Sequence, residues 1–349
     1  MYGESYGYRS SLNQSMVAHL SATVRKLLSV AQPGSGDVVI DIGSNDGTTL
    51  SFFPGDLVRV GVDPMASKFA EYYNRDIVRI SDFFSAGAID TALDGRKAKI
   101  ITSIAMFYDL DDPQSFVEQV ASTLHEDGVW YFEQSYMPLM LDTNAYDTIC
   151  HEHIEYYSLA QIEWLLERSG LTVIDASTND VNGGSFAITA GKKSANRQTC
   201  DDKLSAMRRA EAKADLRSAK PFERFRENVY AHRQKLRELV DSINRDGRTV
   251  VGYGASTKGN VLLQFCDFTA NDIPCIAEVN ADKFGRVTPG SLIPIVREDE
   301  ARAMKPDFLL ALPWHFRRNL VDRERAFLSN GGRMIFPLPE VEIVDQRSL

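Results

Sequence analysis

Thirteen residues near the middle of the chain, Tyr146 to Ser158, read Tyr-Asp-Thr-Ile-Cys-His-Glu-His-Ile-Glu-Tyr-Tyr-Ser. Two of the six histidines sit here, among acidic side chains, a thiol and three phenols. Such groups can move protons, bind metal, form a covalent bond or only pack. An imidazole with an ordinary pKa near 6.5 is mostly neutral at cellular pH and can serve as a base. His153 is the candidate, and Glu152 beside it can orient a ring or accept from a substrate hydroxyl. A histidine satisfied by backbone fits the same residues. His151 and His153 are two apart and share a face if the segment is a strand, yet no third ligand is near, so no metal is expected. Cys150 needs a depressed pKa to act as a nucleophile. Without a neighbouring base it reads as a small filler, and Tyr156 and Tyr157 read as packing.

Elements on both sides must position this segment. Upstream, the run Val38 to Ile42 contains Asp41 and turns at Gly43-Ser-Asn45-Asp46-Gly47, where a helix can open. Glycine lets backbone approach a ligand, and the free N–H groups of a helix start can meet polar atoms. A second short strand ends at Asp63, where a carboxylate can accept both hydroxyls of a ribose. A third, Ile77 to Ile80, leads into Asp82-Phe83, and a fourth, Ala98 to Ile104, into Ala105 and then Asp109. Four strand ends at this spacing predict a doubly wound sheet with its ligand outside the carboxyl ends. The glycines do not form Gly-x-Gly-x-x-Gly. Asp-x-Gly-x-x-x-Gly followed by an acid at the next strand end resembles the class I S-adenosylmethionine (SAM) methyltransferases. That resemblance implies a cofactor site of Asp41, Gly43, Asn45, Asp46, Gly47, Asp63, Asp82, Phe83 and Ala105.

Helices are expected at Ser15 to Val30, Gln114 to Leu124 and Ala160 to Ser169, with strands at Val129 to Gln134, Leu171 to Ala176 and Phe186 to Ala190. From Asp201 to Arg245 acids and bases alternate around Pro221, which reads as two solvated linking helices. A second α/β unit opens at Arg248-Thr-Val-Val-Gly252-Tyr-Gly254-Ala-Ser-Thr-Lys258-Gly259-Asn260, with further strands ending at Glu278, Ala311 and Phe336. The glycine turn with Lys258 predicts a phosphate cradle of backbone N–H groups and one point charge, although its spacing is not that of a Walker loop. Gly252-x-Gly254 with Glu278 also suggests an NAD(P)-linked oxidoreductase, but the third glycine, Gly259, is wrongly spaced.

The 349 residues suit two α/β domains and a connector. Expected divisions are an N-terminal segment (1–14), a SAM-binding Rossmann-like domain (15–195), a helical connector (196–246) and a smaller Rossmann-like domain (247–349). A net charge of −9 argues against a general nucleic-acid surface. No apolar run is long enough for a membrane span, and the four scattered cysteines suit a reducing cytoplasm.

Nearly end to end, the chain resembles SAM-dependent C-methyltransferases that branch nucleotide-linked deoxysugars, the tetronitrose C-3 type. The stretches carrying this are Tyr6-Gly-Tyr-Arg-Ser-Ser, Asp41-Ile-Gly-Ser-Asn-Asp-Gly, Asp82-Phe-Phe, Tyr146-Asp-Thr-Ile-Cys-His-Glu-His, Gly183-Gly, Gly252-Tyr-Gly-Ala-Ser-Thr-Lys and Thr288-Pro-Gly with Ile293-Pro. The resemblance implies that His153 is the base beside Glu152, that Tyr8 or Tyr6 faces the sugar, and that the C-terminal domain helps bind the sugar nucleotide. Arg9, His151, Gly254, Lys258, Asn260 and Glu278 are then the expected substrate-binding residues. The family's usual N-terminal zinc module is absent, Cys150 replaces a phenol, and Asp109 replaces a histidine after the fourth strand. The implied partner is a nucleotide-sugar substrate, and the protein is expected to be a cytoplasmic monomer or homodimer. The expected chemistry is deprotonation at C-3 of a 4-keto sugar and in-line methyl transfer; an O-methyltransferase using the same base is the alternative.

Overall fold

The computed structural model describes residues 8–179 and 183–348, so Tyr6 lies outside the described residues. The chain divides into two compact units. One comprises Met1–Tyr136, Ile154–Asn179 and Ser185–Lys213, the other Met137–His153, Asp180–Gly184 and Ala214–Leu349.

In the first unit the strands are β1 (Val38–Ile42), β2 (Val58–Val62), β3 (Val78–Ile80), β4 (Ala98–Ile104), β5 (Leu124–Ser135), β6 (Leu171–Asn179) and β7 (Ser185–Lys192). They form one sheet ordered β3-β2-β1-β4-β5-β7-β6, parallel as far as β5, with β7 antiparallel to both neighbours. Strand β1 is buried along its whole length because helices cover both faces of a parallel sheet, which is why it reads as an unbroken apolar run. The chain leaves β1 toward β2 and β3 and then returns to place β4 on the other side. That reversal opens a crevice at the carboxyl ends of β1 and β4. The helix Gln14–Ala31 starts at Asn13, whose side chain accepts from Ser15 and Met16 N–H, and buries Leu20, Val24, Leu27 and Ala31 at helical spacing.

The second unit carries β8 (Val250–Tyr253), β9 (Ile276–Glu278), β10 (Ile295–Arg297), β11 (Phe308–Ala311), β12 (Arg333–Phe336) and β13 (Glu342–Val344). Their order is β10-β9-β8-β11-β12-β13, and only β13 runs antiparallel to its neighbour. This is a second Rossmann-like sheet.

Two boundaries differ from the sequence expectation. The charged helices form no separate connector. Helix Asp201–Ala214 belongs to the first unit through Lys213, where buried Glu211 accepts the N–H groups of Leu159 and Ala160 and the hydroxyl of Tyr136. Helix Lys220–Arg245 belongs to the second, its Leu236, Val240 and Ile243 packing with Val250, Phe268, Phe308 and Ile335. The segment Met137–His153, which sequence order assigns to the first domain, also groups with the second unit. Tyr146 is the anchor. Its ring lies 5.4 Å from that of His232 and 5.2 Å from that of Phe265, and its hydroxyl meets His232 Nδ1 at 3.1 Å.

Candidate active site

The first unit gathers the expected cofactor residues at the carboxyl ends of β1, β2 and β4. Gly43 and Gly47 both have positive φ, as does Asn45 between them. Gly47 admits no side chain, since a Cβ there would lie 2.9 Å from the Tyr73 ring. Tyr73 in turn holds the turn from beneath, through Ser44 Oγ and the Asn45 carbonyl, each at 2.8 Å. Asp63 accepts from Asn45 N–H at 2.8 Å and Met65 N–H at 2.6 Å, so one carboxylate ties the glycine turn to the next strand end. Asp41 is buried beneath and takes the Thr102 hydroxyl at 2.5 Å; burial pushes its carboxyl up to about 7 against that hydrogen bond and one from Thr49. Ala105 sits at φ 56° at the end of β4, held by its N–H to the Glu133 carbonyl at 2.7 Å. A non-glycine residue at this φ is a local strain that the surroundings must support.

The N-terminal segment is stitched to this turn. Asn45 accepts from Ser10 N–H and donates to the Tyr8 carbonyl, both at 3.0 Å, while Asp46 accepts from Ser11 N–H at 3.1 Å. Arg9 lies over the Tyr72 ring, 3.7 Å from its centroid, with Nε 3.8 Å from Asp46. Tyr8 and Arg9 therefore stand at the cofactor crevice. Past β3, Asp82 accepts the Phe83 N–H, and the Phe83 ring is 65% exposed, available to cover a flat ligand. Asp109 ends a 3-10 turn after β4, in the same unit.

The second unit holds the other cluster. Tyr146–Thr148 forms a 3-10 turn, and the chain then folds back so that His153 N–H reaches the Cys150 carbonyl at 3.2 Å. The strand imagined for this segment is a turn, so His151 and His153 do not share a strand face. His151 is exposed, with Nε2 3.9 Å from the Glu152 carboxylate. The His153 ring hydrogen-bonds the Thr148 backbone, and its pKa is lowered to about 4 by burial and then by the nearby Lys258 charge. Burial raises the Cys150 thiol despite hydrogen bonds from the Glu152 and His153 backbone, which leaves it a poor nucleophile.

Lys258 lies in the first turn of the helix Thr257–Phe265, and the chain around it departs from the phosphate-cradle expectation. Gly254 N–H goes to the Ala277 carbonyl, Ala255 N–H to Glu278, and Gly259 N–H to Ser256 Oγ. The Glu278 carboxylate also accepts from Val279 and Asn280 N–H and lies 3.6 Å from Lys283 Nζ. Donors already committed and a carboxylate at the turn disfavour a phosphate there. The same bonds occupy Glu278, so it is not an open ribose acceptor and the oxidoreductase alternative loses its acid. Asn260 stays in the first turn, donating its N–H to the Ser256 carbonyl. Lys258 instead lies among Asp147, Cys150, His153 and His315. Burial lowers its pKa, and the charges of Asp147 and Cys150 act against that.

Three residues of this cluster were not singled out from sequence. Asp147 is fully buried; its Oδ2 accepts Trp314 Nε1–H at 2.7 Å, and its Oδ1 has no hydrogen-bond partner among the described residues. Burial raises its pKa, with Lys258 and Trp314 opposing. His315 follows Trp314, with a buried Nδ1 that has no partner among the described residues and a pKa lowered to about 3, first by burial and then by Lys258.

These features define a SAM-type methyltransferase fold joined to a second unit with a buried basic cluster. The "Methyltransferase domain" model matches residues 16–176 and the "C-methyltransferase C-terminal domain" model residues 180–339. A curated relative, the C-methyltransferase NovU of Streptomyces niveus, is 33% identical over 347 residues, covering 98% of this chain and 82% of the relative. Among solved structures, the fold is similar to a Haloferax volcanii methyltransferase in complex with its Trm112 activator (18% identity, 52% of this chain and 93% of that one, TM-score 0.42). It is also similar to the magnesium protoporphyrin IX methyltransferase of Synechocystis with bound S-adenosylhomocysteine (14% identity, 55% and 90%, TM-score 0.41).

The chain belongs to the C-methyltransferase family. It is a SAM-dependent methyltransferase. Bound SAM supplies an electrophilic sulfonium methyl group. The turn at Gly43–Gly47, with positive φ at Gly43, Asn45 and Gly47 and with Asp63 beside it, fits such a ligand. No helix among the described residues is long and apolar enough to cross a membrane.

Proposed function

We propose that the enzyme methylates C-3 of a nucleotide-linked 4-keto deoxysugar, with His153 as the base. The observation that carries this reading is a half-buried imidazole held neutral beside Lys258, in the unit that also contains most of the residues matched by the C-methyltransferase C-terminal domain model. A C–H next to a carbonyl is acidic enough for a positioned base once the developing oxyanion is stabilised. His153 takes the C-3 proton and the electron pair spreads to the C-4 oxygen; bound SAM would supply the methyl group to the carbanion in line, its S–CH3 bond breaking to leave S-adenosylhomocysteine. The imidazolium then releases its proton to solvent. Thr148 fixes the ring through its backbone. Glu152, His151 and Asn260 are assigned to the sugar nucleotide; Gly254 and Glu278 shape the turn that carries Lys258. Asp41, Asn45, Asp46 and Asp63 support the cofactor, Asp82 and Phe83 its adenosine, and Tyr8, Arg9 and Asp109 border its methyl end. A substrate of this class and its donor are cytoplasmic solutes, which supports a cytoplasmic location for the proposed enzyme.

Incubation with methyl-labelled SAM and a panel of nucleoside diphosphate-linked 4-keto-6-deoxysugars tests the proposal. The product is expected to carry its label as a methyl group on a quaternary sugar carbon by NMR. A methoxy signal instead would replace it with the O-methyltransferase alternative.

A further inference from the structure

We propose that Lys258 and His315 together hold the substrate's carbonyl oxygen as it becomes an enolate, the ammonium and the imidazole Nδ1–H forming one electropositive pole. This rests on the carbanion reading above and deepens it.

Three elements of the second unit converge on this pole: the 3-10 turn Tyr146–Thr148, the first turn of helix Thr257–Phe265, and the 3-10 turn Trp314–Phe316. Their approach is close. A Cβ on Gly254 would lie 2.9 Å from the Pro313 ring, one on Gly259 2.8 Å from the Leu312 side chain, and one on Gly183 3.1 Å from the Trp314 ring. Trp314 pins Asp147 by its indole N–H; burial lowers the Lys258 pKa, and Asp147 is the leading charge acting against that. Lys258 acts electrostatically on the base, while the Gly254, Ala255 and Gly259 N–H groups of the glycine turn are bonded within the protein.

The polar inventory calls for a ligand. A buried imidazole nitrogen without a partner is costly unless something arrives to use it, and His315 Nδ1 is such an atom beside a charged amine. The chemistry calls for the same thing. A base with a pKa of about 4 has little driving force against a ketone's α-proton, so the oxygen must carry much of the stabilisation. The Lys258 charge that weakens His153 as a base is the charge that favours the enolate. A bound carbonyl oxygen accepting from His315 Nδ1 would give that buried nitrogen a partner and place the oxygen beside the Lys258 side chain. The proton goes from C-3 to His153, and the negative charge develops on the oxygen between the two donors.

The test is exchange of the C-3 proton into D2O, with S-adenosylhomocysteine replacing SAM so that deprotonation is read alone. If the wild-type enzyme shows no exchange with a substrate it methylates, the carbanion reading fails and this proposal with it. If the wild type exchanges, Lys258→Met is expected to lose about 10²-fold in the saturated exchange rate with KM little changed. His315→Phe is expected to lose at least tenfold in the same way. A Lys258→Met enzyme with an unchanged saturated rate and a raised KM would make Lys258 a phosphate ligand and overturn the proposal. Folding is checked by S-adenosylhomocysteine binding to the first unit and by an NMR titration of His153. Loss of the neighbouring positive charge stabilises the imidazolium, so the His153 pKa must rise in Lys258→Met; an unmoved value would contradict the cluster geometry. If Lys258→Met does not fold, His315→Phe with an undiminished exchange rate overturns the pole.

Discussion

Replacing Trp314 by Phe keeps an aromatic ring beside Gly183 and removes one hydrogen bond, the indole N–H to Asp147 Oδ2 at 2.7 Å. Asp147 is completely buried and its other oxygen has no hydrogen-bond partner among the described residues, so no second side chain there replaces the lost donor. A hydrogen bond to a buried charged group contributes about 1.5–3 kcal/mol, and the variant should lose stability of that order at neutral pH. The pH dependence follows from the sign of the shift. Burial raises the folded-state pKa of Asp147, so its contribution is fully present below the unfolded value near 4 and is lost as pH rises through the folded value. Removing the donor raises the folded pKa further. The deficit of Trp314→Phe should therefore be larger at pH 8 than at pH 5, and Asp147→Asn should erase most of that difference. Urea melts of wild type, both single variants and the double variant at the two pH values measure it. An equal deficit at pH 5 and pH 8, or one that survives in the Asp147→Asn background, would refute the buried-carboxylate account.

Other consequences are equally direct. Asp41 has its pKa raised to about 7 by burial, so stability is lost as pH rises from about 4 through 7; Asp41→Asn, which keeps an acceptor for Thr102, should melt higher than wild type at pH 8 and equally at pH 4. An alanine at Gly47 must adopt φ near 76° and push on the Tyr73 ring, costing about 1–2 kcal/mol and weakening SAM binding at least tenfold by calorimetry. With His153 neutral down to about pH 4, the saturated exchange rate should stay flat from pH 8 to pH 6, with no acid limb near 6.5. A limb there would mean that the imidazole is not desolvated as described.

The strands were legible wherever an apolar run ended in an acid or a glycine. β1, β2, β4 and β8 announce themselves this way because parallel strands are buried on both faces and their ends turn toward ligand. Pro221 correctly separated two helices, because a proline is tolerated only in a first helical turn and it opens Lys220–Arg245. Their allegiance was not legible. The apolar stripe of Leu236, Val240 and Ile243 marks a buried face but does not say which sheet buries it. The cofactor turn was readable because its residues are local in sequence. The cluster around Lys258 was not, since Asp147 and Trp314 are 167 positions apart and neither is remarkable by type. Lys258 itself was seen, but glycine turn and lysine together suggested a phosphate. Only the hydrogen bonds committing Gly254, Ala255 and Gly259 N–H, and the burial of Asp147, redirect its charge toward His153. The Tyr146–Ser158 segment shows both sides of this. Its residue types pointed to a base, but the grouping of its part through His153 with the second unit follows from Tyr146 meeting His232 and Phe265.

The claim at the centre is that His153 removes a carbon-bound proton, and one comparison tests it most directly. Wild-type enzyme and His153→Ala are each saturated with a 4-keto sugar nucleotide in D2O in the presence of S-adenosylhomocysteine, and deuterium at C-3 is followed by NMR. The wild type should exchange, and the variant should exchange at least 10²-fold more slowly while still binding S-adenosylhomocysteine in the first unit. Equal exchange in the two proteins would contradict the assignment of the base.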